Sequence, residues 1–175
     1  NSMKDPVSKK SLRNYCLLYD TDLKFAYWVA YPLFADVIKK GTNRTNAWGY
    51  DPSISSSLQA NLSSGFNGGA VYDRGHQLPS ADRICDAATN RTTFYYSNMT
   101  PQIGKKLNQS IWANLEDKVR GWVSGTDTLF VVTGAMPPQN GTIERQKGMA
   151  VPAYYFKALA RQVNHTFYTI AFKMD

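Results

Sequence analysis

The chain has 175 residues, is 43% hydrophobic and carries 19% charged residues, which excludes an intrinsically disordered chain and is enough for one domain with a sizeable core. Twenty Lys and Arg against 13 Asp and Glu give a net charge of +7. This balance suits a polyanionic partner such as nucleic acid or an anionic membrane surface, although a basic charge also serves solubility alone. No apolar run approaches the length of a membrane span.

The cysteines and the N-terminus leave the cellular compartment open. Cys16 and Cys85 are the two cysteines, and either one disulfide or two free thiols would fit the sequence. The sequence contains no Cys/His cluster of the kind that binds zinc. Residues 1–10 contain no signal-peptide core. Seven Asn-x-Ser/Thr triplets occur. We interpret them as a by-product of an Asn- and Thr-rich composition, because two lie in the motif described below, where a glycan would block the site.

The first half of the chain is predicted to begin with a hairpin. Residues 17–20 and 24–33 are rich in strand formers and flank a tight turn at residues 20–22. Residues 41–69 contain many Ser, Asn and Gly and predict an irregular segment with one short helix. Residues 70–73 then form a short approach to the Arg-Gly-His string at 74–76.

The second half predicts the remaining sheet and the main helix. In chain order we expect a short helix over 80–88 capped by Ser80, a strand over 92–97, a helix over 108–122 and a buried strand over 128–133. Two further strands, over 153–160 and 166–173, should form a hairpin or lie as near neighbours. This order predicts an α+β fold with a mostly antiparallel central sheet and packed helices, in a single domain.

His76 is the first candidate for chemistry. Its imidazole can accept a proton near neutral pH and so activate water. Gly75 allows the backbone to approach a phosphate closely, and the planar guanidinium of Arg74 can bind one. Taken alone, this short string fits a structural histidine beside a surface arginine better.

Asn98 lies where the strand predicted over 92–97 gives way to polar residues, before Pro101 interrupts it. Its side chain could fix the loop that follows His76 by hydrogen bonding. An ordinary Asn in a turn is the alternative.

The helix predicted over 108–122 carries two stripes. Ile111, Leu115, Val119 and Trp122 recur at helical spacing and should pack on the sheet. Asn108, Trp112, Glu116 and Arg120 recur every fourth residue and form a neighbouring stripe.

This second stripe offers groups for a hydrated metal and a phosphate. The amide oxygen of Asn108 is a neutral, hard ligand that suits Mg²⁺, which keeps most of its waters. Glu116 could hold one of those waters, and Arg120 could face phosphate charge. For these two residues alone, an i, i+4 ion pair on a solvated face is the simpler explanation.

Together these segments resemble the DNA/RNA non-specific endonuclease family, whose active site is the ββα-metal or His-Me finger motif. Residues 73–76 (DRGH) resemble its signature, residues 96–102 (YSNMTPQ) its Ser-Asn-x-x-Pro-Gln element, and Asn108 with Trp112, Leu115 and Glu116 its metal-binding helix. Weaker similarities at 25–31, 48–52, 132–134 and 152–157 extend the resemblance from about residue 15 to the end.

The resemblance implies a role for each matching residue. His76 would be the general base that takes a proton from water, and Asn108 would be the only direct protein ligand of Mg²⁺, with Mn²⁺ or Ca²⁺ as alternatives. Glu116 would orient a metal-bound water.

The remaining roles concern the substrate and the site's scaffold. Arg74 and Arg120 would stabilise charge in the transition state, and Asn98 would steady the site. Arg44 is the nearest candidate for a further family arginine, in a shifted register.

The resemblance therefore predicts an endonuclease that hydrolyses DNA and RNA with little sequence preference, secreted or located in the periplasm or cell envelope, as a monomer or homodimer. Family members usually continue beyond the strand at 166–173, so this chain would be a truncated, cleaved or short form. The alternatives are a non-catalytic nucleic-acid or polyanion-binding module, a phosphodiesterase or phosphatase for small molecules, and a structural protein of the envelope.

Overall fold

The computed structural model describes residues 2–66, 71–125 and 127–175, and its β-strands are mostly antiparallel. In chain order they are β1 (Ser2–Lys4), β2 (Ser11–Arg13), β3 (Cys16–Asp20), β4 (Phe25–Leu33), β5 (Tyr72–His76), β6 (Met99–Ile103), β7 (Leu129–Met136), β8 (Arg145–Gln146), β9 (Met149–Ala150), β10 (Tyr154–Val163) and β11 (Thr166–Met174). Five of them form the central sheet in the order β11-β10-β7-β4-β3. The predicted α+β class is confirmed.

Helices are few and short. They are α1 (Ala35–Ile38), α2 (Ala87–Thr92) and α3 (Trp112–Gly121), with 3₁₀ turns at Ser56–Leu58, Ser80–Arg83 and Tyr96–Asn98 and a π-helix at Gly104–Ile111. No helix of the described ranges is long and apolar enough to cross a membrane. Cys16 and Cys85 are both free thiols.

The two predicted hairpins of the central sheet are confirmed. Strands β3 and β4 pair antiparallel, with the Asp20 carboxylate accepting from the backbone N–H of Asp22 and Leu23, each at 2.8 Å. Strands β10 and β11 pair from Val163↔Thr166 outward, around Asn164 and His165. Both turn residues have positive φ, 49° and 63°, as a two-residue turn matching the twist of its strands requires.

The ββα unit lies beside this sheet. Strands β5 and β6 pair antiparallel, with His76 opposite Met99 and Asp73 opposite Gln102. The chain then enters the π-helix and α3. Two buried apolar clusters hold the unit in place: one contains Leu115 and Val119 of α3, and the other contains Trp112 of the same helix.

The short helix predicted over 80–88 was wrong in its bounds and its cap. A 3₁₀ turn ends at Arg83, and α2 begins at Ala87 with Asp86 as its N-cap, whose carboxylate accepts from the backbone N–H of Thr89 at 2.8 Å. A carboxylate is a strong N-cap. The hydroxyl of Ser80 instead accepts a hydrogen bond from Arg44 at 2.8 Å.

The strand predicted over 92–97 was also wrong. Helix α2 runs to Thr92 and a 3₁₀ turn covers Tyr96–Asn98, so the second strand of the unit begins only at Met99. The aromatic residues that suggested a strand, Phe94 and Tyr96, are buried in the connection. Pro101 lies inside β6, which tolerates it because β6 pairs on one side only in a two-stranded sheet.

The helix predicted over 108–122 begins at Gly104 and is interrupted. Ser110 has non-helical φ −134° and ψ −108°, which separates the π-helix (Gly104–Ile111) from α3, beginning at Trp112. This break changes the stripes. Leu115 and Val119 are buried as predicted, whereas Ile111 and Trp122 are 51% and 40% exposed.

Candidate active site

His76 is the last residue of β5, and its side chain is buried. The imidazole lies 5.6 Å from the ring of Trp48 and 5.1 Å from that of Phe94, measured between ring centroids. Its Nε2 has no hydrogen-bond partner among the described residues, whereas the backbone of Arg74 bonds to the imidazole. Burial, reinforced by the positive charges of Arg44 and Arg74, lowers the pKa of His76 to about 3. The side chain is therefore a neutral base at physiological pH.

The guanidinium of Arg74, two residues before His76, lies over the ring of Trp48. The guanidinium carbon is 3.7 Å from the ring centroid, and Nη1 donates to the backbone carbonyls of Leu62 at 2.9 Å and Ser63 at 3.3 Å. Glycine suits position 75, between Arg74 and His76, because a Cβ there would lie 2.2 Å from the side chain of the buried Gln102.

Arg44 reaches the cleft at His76 from the irregular segment. Its Nε donates to Asn46 and its Nη1 to Ser80, both at 2.8 Å. The guanidinium also lies 4.8 Å from the centroid of the Phe94 ring. Arg44 was predicted only because it lies near a motif in sequence, and the fold brings it beside His76.

Asn108 lies on the π-helix with its amide held in one orientation. Its Nδ2 donates to the carboxylate of Asp73 at 2.9 Å, and Gln109 donates to the same oxygen at 2.7 Å. A carboxylate only accepts hydrogen bonds, so the Oδ1 of Asn108 is the atom left for a ligand. Sequence reasoning assigned no role to Asp73, although it stands in the DRGH string.

Glu116 lies on α3 and is half-buried. Burial raises the pKa of its carboxyl to about 7, with the nearby Lys157 opposing the shift most strongly. Lys157 itself is fully buried, and its Nζ donates to Thr133 at 2.6 Å. No function was predicted for this lysine.

A cleft of about 200 Å³ brings five predicted site residues together: its lining includes Arg44, Arg74, His76, Asn108 and Glu116. A neighbouring cleft of about 300 Å³ shares Arg44, Arg74 and Asn108 and extends to Trp48, Phe66 and Tyr72. A larger cavity of about 480 Å³, between the N-terminal hairpin and α2, contains none of the predicted site residues. The candidate site is therefore identified by the side chains that line it and not by the volume of the cleft.

Asn98 lies behind this cleft, fully buried. Its Oδ1 accepts from the backbone N–H of Leu78 at 2.8 Å, and its Nδ2 donates to the carbonyls of Leu78 at 3.0 Å and Thr93 at 2.8 Å. The backbone carbonyl of Asn98 also accepts from Gln77 at 3.0 Å. These bonds hold the loop after His76.

Arg120 is engaged elsewhere. Its Nη1 bonds to the buried carboxylate of Asp82 at 2.8 Å, and its Nη2 bonds to Asp117. Asp82 accepts a further bond from Tyr31 at 3.0 Å. The simpler explanation of an ion pair with Glu116 was therefore wrong in its partner, and a contact of Arg120 with phosphate stays a prediction.

Two aromatic residues of the site, Trp48 and Phe94, had no predicted role. They are separated by more than forty positions in sequence, and only the packing shows that both rings border His76. In the sequence, only the weak family similarity at residues 48–52 pointed to Trp48, and such a similarity does not show which residues are in contact.

Comparison with known proteins relates this chain to nucleases. The profile of the DNA/RNA non-specific endonuclease family matches residues 1–175. "Nuclease" of Serratia marcescens is 33% identical over 164 residues, covering 86% of this chain and 59% of that protein. "Nuclease 1, mitochondrial" of Schizosaccharomyces pombe is 30% identical over 168 residues, covering 88% of this chain and 52% of that protein.

A solved structure agrees with these relatives. The structure titled as the EndoG/EndoGI complex superposes with a TM-score of 0.80 at 26% identity, covering 94% of this chain and 72% of the other. The chain spans between about half and three fifths of the length of the two relatives above. The match over residues 1–175, together with the ββα arrangement, shows that the chain belongs to the DNA/RNA non-specific endonuclease family.

Proposed function

We propose that this chain is a nuclease domain, spanning residues 1–175, that hydrolyses phosphodiester bonds in DNA and RNA with little sequence preference. The observation that carries the proposal is the cleft in which His76, whose Nε2 has no hydrogen-bond partner among the described residues, meets two arginines, an oriented amide and a carboxylate. These are the groups that hydrolysis of a phosphodiester needs: a base for water, positive charge for phosphate, and oxygen ligands for a cation.

His76 is the general base of this proposal. Its lowered pKa keeps the imidazole unprotonated at neutral pH, so Nε2 can take the proton of a water that attacks phosphorus. Because water is the nucleophile, the reaction does not need the 2′-hydroxyl of RNA. Both DNA and RNA are therefore expected substrates.

Asn108 and Glu116 are the residues that would hold a divalent metal. Among the described residues no group of three or more His, Cys, Asp or Glu is arranged to bind one, so an ion here would be mostly hydrated. Mg²⁺ suits such a site, since it keeps several waters and prefers oxygen ligands. Asn108 would give its Oδ1 and Glu116 would orient a bound water. The metal would supply positive charge to the phosphate and to the leaving oxygen.

Arg44 and Arg74 would bind phosphate beside the scissile bond. Both lie at the cleft with guanidinium donors beyond those used within the protein. Contacts of this kind carry no base information, which fits low sequence preference. Arg120 would contribute positive charge to the transition state only while it remains paired with Asp82. Asn98 would act as scaffold.

The experiment is cleavage of plasmid DNA, single-stranded DNA and structured RNA by the purified chain, with Mg²⁺ and with EDTA. We expect all three substrates to be cut without a fixed band pattern, and EDTA to stop the reaction. Cleavage that EDTA leaves unchanged, or binding without cleavage, would contradict the proposal and favour the binding module. Selective hydrolysis of mononucleotides would favour a small-molecule phosphodiesterase.

Location and assembly follow as separate proposals. Relatives include "Nuclease" of Serratia marcescens and proteins named mitochondrial, so the family does not fix the compartment. We propose export or an envelope location for this chain, as a monomer or homodimer. Fractionation of the native cells and light scattering of the purified chain test these two statements.

A further inference from the structure

Trp48 is the common neighbour of the general base and of a phosphate-binding arginine. Its ring lies 3.7 Å from the guanidinium carbon of Arg74 and 5.6 Å from the centroid of the His76 imidazole. A guanidinium this close over an indole face is attracted by the electrons of the ring. The role of Trp48 is therefore tied to the orientation of two functional side chains.

The Trp48 ring is itself held in place. The backbone of Gly49 donates to the carbonyl of Phe94 at 3.4 Å and accepts from the N–H of Tyr96 at 2.9 Å. Phe94, which is fully buried, meets the indole edge-to-face at 4.8 Å. The backbone beside Trp48 is thus fixed to the connection that precedes β6, and the indole cannot turn away without losing its edge-to-face contact with Phe94.

The guanidinium of Arg74 is consequently fixed on one face by the indole and at one nitrogen by the carbonyls of Leu62 and Ser63. A free arginine side chain must lose considerable rotamer freedom when it binds phosphate. A guanidinium held over the indole and bonded to two carbonyls has already lost much of that freedom, so its remaining donors meet the substrate at lower entropic cost.

We propose that Trp48 is a positioning residue of the active site, whose indole holds the Arg74 guanidinium and borders the His76 imidazole so that both face the cleft. The expected effect of Trp48 on catalysis rests on the proposed function. The contact between Trp48 and Arg74 also predicts an effect on nucleic-acid binding, which can be measured when no cleavage takes place.

The test is a double-mutant cycle with Trp48→Leu, Arg74→Ala and the pair combined. Trp48→Phe keeps a ring, and Trp122→Leu is the matched control, because Trp122 is 40% exposed and outside the cleft. Each variant is measured for kcat and KM on DNA with Mg²⁺, and for binding of a fluorescent single-stranded oligonucleotide in EDTA by anisotropy. Unfolding midpoints confirm the folded fraction, and Trp48→Met replaces W48L if the latter does not fold.

We expect W48L to lower kcat/KM and oligonucleotide affinity by about tenfold in the parent background, but by less than about twofold in the R74A background. W48F should regain most of the loss, and Trp122→Leu should behave as the parent. Equal losses from W48L in both backgrounds, or W48F as impaired as W48L, would overturn the inference. If the parent binds but does not cut, the proposed function fails, and the binding cycle alone decides the role of Trp48.

Discussion

The carboxylate of Asp73 accepts a hydrogen bond from the Nδ2 of Asn108 at 2.9 Å. This contact joins β5 to the π-helix and determines which end of the amide is free. Because Asp73 cannot donate, it selects the orientation in which the Asn108 oxygen is available to a cation. In the proposed mechanism, the DRGH string therefore contributes a residue that orients the metal ligand, in addition to the proposed base and an arginine.

Replacing Asp73 by Asn should weaken metal binding. An amide at this position can donate as well as accept, so Asn108 would no longer be held in one orientation. We expect the Mg²⁺ concentration for half-maximal activity to rise by about 10–100-fold, as for other residues that orient a metal ligand. A metal titration of cleavage rate measures this. Asp22→Asn is the control, since the Asp22 carboxylate pairs with Arg145 at the surface. Equal metal dependence in both variants would refute the role of Asp73.

Replacing His76 by Gln should remove the general base while keeping the fold. We expect kcat to fall by about 10²–10⁴-fold, the usual contribution of a general base. The chain offers its own control in His165, the other histidine, which lies in the β10–β11 turn with φ 63°. His165→Asn should retain parent activity, because Asn tolerates that conformation. The assignment fails if both variants cut DNA at the parent rate.

The stability of the metal-free chain should depend on pH through two groups with opposite effects. The pKa of His76 falls to about 3, chiefly because the imidazole is buried. From about pH 3 to 6.5 the unfolded chain binds a proton that the folded chain does not, so His76 makes the free energy of unfolding rise with pH. Burial raises the pKa of Glu116 to about 7. From about pH 4.5 to 7 the folded chain retains that proton, so Glu116 makes the free energy fall as pH rises.

Two variants separate these effects between about pH 4.5 and 6.5. Glu116→Gln retains only the His76 effect, so its free energy of unfolding should rise with pH relative to that of His76→Gln. His76→Gln retains only the Glu116 effect, so its free energy of unfolding should fall with pH relative to that of Glu116→Gln. The two slopes should differ by at most about 2.7 kcal/mol per pH unit, and by less where solvent screens the carboxylate. Urea unfolding in EDTA at several pH values measures the slopes. Parallel pH profiles in the two variants would contradict the assignment.

The two arginines of the cleft should account for part of the salt dependence of nucleic-acid binding. Each phosphate contact releases counterions, so Arg44→Ala and Arg74→Ala should each reduce the slope of log Kd against log salt by about 1. Oligonucleotide binding in EDTA over a salt series gives the slope. Arg13→Ala, on β2 outside both clefts, should leave it unchanged. Identical slopes in all three variants would show that these arginines do not contact phosphate.

Much of the sheet and of the site could be predicted from local patterns. The hairpins β3–β4 and β10–β11 alternate or are rich in strand formers, and their pairing follows from short connections. The prediction failed where local preference and packing disagree. Phe94 and Tyr96 are strand formers by composition, yet they fill the core from a connection, and Ser110 breaks a helix that its neighbours favour.

The sequence by itself determined which residues could carry the chemistry, because a base, an amide ligand and phosphate-binding arginines are properties of side chains and of short motifs. Only the tertiary structure decided how these groups are held. Asp73 orients Asn108, Trp48 supports Arg74, and Asp82 takes Arg120 away from the cleft. These contacts join residues between 26 and 38 positions apart, so they depend on how strands and helices pack and leave no local pattern in the chain.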